Sequence, residues 1–153
     1  MTSSPESDNT RSFDDLKVTI ERVTAAMSEF GITLDSAGSG DQPVAFANLN
    51  GVSMLFAAMP SVLLVRGDVS TTSRSVDAEP SYYLAANQLN ATSDAAKMCI
   101  VDKTSTLIVR AEAETMSAAG LDDRQLRHAL KSGVDAVLGL HEAFEKARAA
   151  ARA

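Results

Sequence analysis

The sequence predicts an α+β fold: one domain in which helices pack on an antiparallel sheet, in the order α-β-β-β-α-β-β-α. Three observations carry this. Segments near both ends of the chain place apolar residues at alternating three- and four-residue spacing, as amphipathic helices do. Between them lie five short apolar runs, grouped as three and two and separated by polar breaks and a short helical stretch. Asn50-Gly51 joins the first two runs. Both residues of such a turn need positive φ, which Asn-Gly adopts cheaply, so the pair marks a two-residue hairpin.

Size and charge set bounds on function. The 153 residues are enough for one domain with a real core, and 45% apolar with 22% charged residues is ordinary globular composition. A net charge of −6 argues against nucleic acid and against anionic lipid as partners. The single cysteine, Cys99, precludes an internal disulfide and suits a reducing compartment, so a cytoplasmic location is expected. Residues 1–12 are polar and acidic, unlike a signal peptide. The longest apolar run, 55–65, contains Pro60 and falls short of the ~20 residues a membrane helix needs.

Residues 1–11 read as a disordered tail, 12–148 as the domain and 149–153 as a C-terminal tail. The first helix starts at Ser12, which can cap it with Asp15 reaching back. Phe13, Leu16, Ile20, Val23, Met27 and Phe30 form one stripe, and Gly31 supplies a left-handed cap. The stripe is too short for a coiled coil, so the helix is expected to lie on its own core. Ile32 to Leu34 reads as a short edge strand and 35–42 as a loop. Gly38-Ser39-Gly40 lacks the Lys-Ser/Thr and the following helix of a phosphate cradle.

A two-residue turn at Asn50-Gly51 places Phe46 opposite Leu55 and Ala45 opposite Phe56. One hairpin face then carries Ala45, Met54 and Phe56, the other Val44, Phe46 and Leu55, so both are apolar. The third strand, Val62 to Val69, is apolar on both faces until Arg66 and Asp68. Such a sheet must be covered twice. Helices cover one face; the other requires a further element, a twin subunit or a bound partner.

Thr71 to Ser75 reads as a polar loop, followed by a helix from about Asp77 with Pro80 in its first turn. Asn87 and Asn90 sit one turn apart near its end. Their amides could bind a partner's backbone, but asparagine favours helix ends for local reasons, so the structural reading is preferred. In the second hairpin, Ala96 to Val101 and Thr106 to Glu114, the residues Leu107, Val109, Ala111 and Ala113 face one way. Ile108, Arg110, Glu112 and Glu114 face the other. Glu112 and Glu114 share a face but lack any sign of a pocket, which leaves no glycosidase argument. Cys99 reads as a buried, inert thiol, with no activating group in view. Asp122 can cap the last helix, with Gln125 closing the box and Leu121 stapled to Leu126. That helix should run to about Ala147 or beyond, with Gly133 in close packing. His128 and His141 are too far apart to share a metal, and His141 with Glu145 reads as a helical polar pair. No metal or cofactor is expected.

From about Leu16 to Phe144 the chain resembles the YbjN domain family, whose description is "putative bacterial sensory transduction regulator". The resemblance rests on Gly31 after the first helix, Asn87-Gln88-Leu89-Asn90, Lys97 opening the next strand, and Ala119-Gly120-Leu121 with Leu126 before the last helix. Leu89 stands where an aromatic is frequent, and Ala96 where a proline often precedes the lysine. The resemblance implies a fold like that of type III secretion chaperones, no enzymatic activity, and a habit of binding proteins.

The expected function is therefore a non-enzymatic, chaperone-like binding module. Its partner is expected to be a second copy of itself or an unidentified protein segment. The alternative is a small-molecule sensor with its ligand between sheet and helices. The expected contact surface is the sheet face opposite the helices, with Phe46, Leu55 and Ile108 bordered by Arg66 and Arg110.

Overall fold

The computed structural model describes residues 12–37, 42–102 and 105–153. The expected tail 1–11, the glycine loop around Gly38 and the centre of the turn after Asp102 lie outside the described residues. Six strands form one antiparallel sheet in the order β1-β2-β3-β4-β6-β5: β1 Asp35–Ala37, β2 Val44–Leu49, β3 Val52–Ala58, β4 Val62–Arg74, β5 Lys97–Val101 and β6 Thr106–Met116. Among the described residues four α-helices accompany it: α1 Phe13–Leu16, α2 Ile20–Glu29, α3 Pro80–Thr92 and α4 Asp123–Ala151. The fold class and the β2–β3 register, with Phe46 opposite Leu55, are as the sequence predicts. Asn50 and Gly51 both take positive φ.

The first helix is not continuous. It breaks at Lys17, and Thr19 starts α2 by accepting a hydrogen bond from the Arg22 amide. Arg22 itself holds the break open. Its guanidinium donates to the carbonyls of Leu16 (3.0 Å), Lys17 (2.9 Å) and Leu121 (2.8 Å), and to Asp123 Oδ1 (3.0 Å). Three carbonyls left without helical partners thus gain a charged donor. The Leu121 amide also donates to the Leu16 carbonyl at 2.8 Å. The break takes Phe13 out of the buried stripe, leaving it 60% exposed, and Phe30 at the far end is 41% exposed.

Gly31 caps α2 as expected. Its amide donates to the Ser28 carbonyl and the Ile32 amide to that of Met27, the paired bonds of a Schellman cap. This displaces the edge strand from 32–34 to Asp35–Ala37, because the Ile32 amide belongs to the cap and Leu34 is buried in the core. Likewise β4 continues through the expected polar loop to Arg74. Its register against β6 shifts between Ser70 and Arg74, where Thr71 Oγ1 donates to the Leu107 carbonyl at 2.7 Å. A 3₁₀ turn, Ser75–Asp77, precedes α3. That helix starts at Pro80 and not at Asp77, because residues before a proline are driven extended; Glu79 has ψ 133°. At α4 the capping box of Asp122 and Gln125 is complete.

Helices α2, α3 and α4 pack on one face of the sheet. Phe56, Met54, Leu63 and Leu107 from the strands and Val23, Met27, Leu130, Val137 and Phe144 from the helices are fully buried. At about 1.5–3 kcal/mol for burying each large side chain, this layer dominates stability. Close approach is built in at Gly67, where a Cβ would stand 2.5 Å from Val137 Cγ1, and at Gly133, where it would meet Val65 at 3.2 Å.

Candidate functional site

The opposite face of the sheet has no described element over it. Strand register places Phe46, Leu55, Arg66, Glu112 and Lys97 in one row across β2, β3, β4, β6 and β5. A second row holds Asn48, Ser53, Asp68, Arg110 and Cys99. A third runs through Val44, Ala57, Leu64 and Glu114, and Ile108 lies between Ser70 and Val101. All five residues expected to form a contact surface, Phe46, Leu55, Arg66, Ile108 and Arg110, therefore share the outer face.

That face divides in two. Toward β2 and β3 it is apolar: Phe46 is 37% exposed, Leu55 and Val44 are half-buried, and Ala57, beside Leu64 of β4, is buried; Met116, at the far end of β6, is 71% exposed. Across β4 and β6 it is charged but internally matched. Arg66 Nε and Nη2 both meet Glu112 Oε1 at 2.7 Å. Arg110 grips Asp68 with two bonds, Nε to Oδ1 at 2.9 Å and Nη2 to Oδ2 at 2.8 Å. The hydrogen bond to Asp68 is the largest influence raising the Arg110 pKa, against the lowering effect of partial burial. The two arginines thus stand as partnered cations and not as free donors. Glu112 is held by Arg66, and Glu114 on the same strand face is exposed.

Cys99 corrects an expectation: it is exposed. Alternation along β5 turns Met98 into the core and Cys99 outward beside Arg110. His141 also differs from its expected pairing with Glu145. Its Nε2 donates across to the Gly67 carbonyl at 2.8 Å, tying α4 to β4. No group of three or more His, Cys, Asp or Glu side chains able to hold a metal occurs among the described residues.

The family-like motif residues are structural where they are bonded. The Asn90 side chain exchanges two hydrogen bonds with the backbone of Met98: Nδ2 donates to its carbonyl (2.8 Å) and its amide donates to Oδ1 (2.7 Å). It thereby occupies a stretch of the β5 edge as a neighbouring strand would. Lys97 Nζ donates to the carbonyls of Asn90 and Ser93 and closes the end of α3. Asn87 is exposed and does not join Asn90 in this task. Gly120, with φ 82°, lets the chain pass against Leu16, Leu121 is half-buried and Leu126 fully buried. Sequence reading missed Arg22; no local pattern marks a side chain whose partners lie 99 and 101 residues away.

Residues 19–146 match the YbjN family, described as "Putative bacterial sensory transduction regulator". Among solved structures, the fold is similar to that described as "Crystal structure of YbjN, a putative transcription regulator from E. coli". The two share 11% sequence identity with a TM-score of 0.62, over 84% of this chain and 90% of that one. No curated protein matches the sequence. No helix among the described residues is long and apolar enough to cross a membrane.

Proposed function

Since this chain belongs to the YbjN family, we propose that it is a non-enzymatic, chaperone-like regulatory module of the cytoplasm whose outer sheet face binds protein, in the first instance a second copy of the chain. One observation carries the reading: the outer face exposes an apolar area around Phe46, Leu55 and Val44 next to internally paired charges. Charge supports a self-partner. The chain has a net charge of −6, which opposes association. The centre of this face, however, balances Arg66 and Arg110 against Glu112 and Asp68. It is thus a place where two copies can meet without like charges in contact. The regulatory role follows the family description, and protein binding follows the apolar area around Phe46 and Leu55, since the cores of contact surfaces are apolar and depleted of charged residues.

Light scattering at micromolar concentration tests this. The expected mass is about twice that of the chain, as for a dimer of ordinary affinity. Phe46→Glu is expected to stay folded, with a cooperative melt, and to run as a monomer. A parent protein that is monomeric, or a Phe46→Glu variant that remains dimeric, would refute the assignment of this face. Binding of a different protein in place of a second copy would keep the face and change the occupant.

A further inference from the structure

The β2–β3 hairpin is shorter than the strand it borders. Pairing of β3 with β4 reaches only Ser53 opposite Asp68, whereas β4 continues to Arg74 and α4 to Ala151. Beyond the Asn50-Gly51 turn, the second half of α4 therefore overhangs the sheet with no part of that hairpin beneath it. A cleft of about 650 Å³ opens there, between the hairpin tip, Val69 to Thr72 of β4 and Leu138 to Glu145 of α4. It lies on the helix side of the sheet, away from the outer face.

The lining has two chemistries. Val69, Val109, Leu138, Tyr82 and Phe144 supply apolar surface. His141, Glu142 and Glu145 supply the titratable groups, and among the described residues no lysine or arginine lines the cleft. Glu142 and Glu145 are exposed, three residues apart on α4, and neither forms an ion pair among the described residues. The nearby Arg148 does not neutralise them: it stacks 4.4 Å from the Tyr82 ring centroid and pairs with Glu79 at 3.4 Å. His141 is held in place through its Nε2–H bond to Gly67, which fixes that nitrogen as a donor and leaves Nδ1 as the one without a described partner.

We propose that this cleft binds a small organic cation, its ammonium group at Glu142 and Glu145 and its apolar body against Leu138, Val69 and the edge of Tyr82. Apolar walls with a few placed polar groups are the usual make-up of a small-molecule site. The sign of the charge follows from the lining. An anion meets two carboxylates with no compensating cation among the described residues, and a neutral body gains nothing from two carboxylates that water already solvates. An ammonium gains charge-assisted hydrogen bonds from them. This site is independent of the outer face, and either can fail without the other.

The test is a titration of the full ¹⁵N-labelled chain with phenethylammonium, hexylammonium, 2-phenylethanol and 3-phenylpropionate, followed by amide shifts. The ammonium probes are expected to move Gly51, Thr72 and Glu142 saturably. The neutral alcohol should bind at least about tenfold more weakly, and the anion not detectably. Glu142→Gln/Glu145→Gln alters two exposed side chains and should melt like the parent while losing about tenfold in affinity for the cations. The proposal is overturned if neither ammonium gives saturable shifts at these amides, if the alcohol or the anion binds as tightly, or if the double variant binds unchanged.

Discussion

Strand β6 shows the two faces of the sheet residue by residue. Leu107, Val109, Ala111 and Ala113 point under the helices and are buried; Ile108, Arg110 and Glu112 alternate with them and stay partly open. The inner residues are uniformly apolar and gain stability from packing. The outer ones are mixed, and their charges are matched by Asp68 and Arg66 on β4. These ion pairs are about a quarter exposed on both sides, and water screens them to about 1 kcal/mol or less each. The inner face therefore holds most of the core, while on the outer face Ala57 and Leu64 are buried and the charged rows cost the fold little to change. A face of that second kind is free to be shaped by a partner.

The comparison breaks most sharply at two phenylalanines on neighbouring strands. Phe56→Ala on the inner face should cost about 3–5 kcal/mol in denaturant unfolding, whereas Phe46→Ala on the outer face, measured at a concentration where the chain is monomeric, should cost less than about 1 kcal/mol. Similar losses at both positions would abolish the distinction. Next comes Gly67→Ala, which drives a methyl group against Val137 and Val52 and should cost about 1–3 kcal/mol in the same assay. An unchanged midpoint would mean that α4 is more loosely seated than the geometry says.

Smaller effects sharpen the edges of the comparison. Asn90→Ala leaves the amide and carbonyl of Met98 without their partner and should cost about 1–3 kcal/mol, while Asn87→Ala should stay within about 0.5 kcal/mol. Thermal melts of the two variants side by side check this; equal losses would restore the pair as a unit. Smallest is the Asp68–Arg110 pair, whose coupling in a double-mutant cycle should be about 1 kcal/mol or less. Because the Arg110 pKa is raised, its share of stability is fully present below the ordinary arginine value and is lost only as pH rises past the folded one. The coupling should accordingly not fall between pH 7 and pH 9 through loss of the Arg110 charge.

Much of this was legible in the chain. Asn50-Gly51 determined the register of β2 and β3, Asp122 with Gln125 the start of α4, and alternation on β6 the two faces. Each of these is a local pattern with a local cause. What escaped depends on partners far along the sequence. The break between α1 and α2 follows from Arg22 reaching Leu121 and Asp123. The length of β4 follows from the Thr71 hydroxyl bonding β6, and the cleft follows from the difference in length between β3 and β4. Cys99 lay between these cases. Its orientation is a matter of parity, and it becomes clear once Lys97 is known to stand opposite Glu112.

That cysteine gives the most direct test of the outer face as a protein-binding surface. Cys99 is the only cysteine in the chain, is exposed, and shares its cross-strand row with Asp68 and Arg110. A nitroxide placed on it reports any second copy that packs on that face, because facing sheets sit only about 10 Å apart. Continuous-wave dipolar broadening for close labels, with double electron–electron resonance for more distant ones, should at micromolar concentration show one well-defined coupling between labels in the parent protein and none in Phe46→Glu. Absence of intermolecular coupling in the parent, or the same coupling in the variant, would contradict the account.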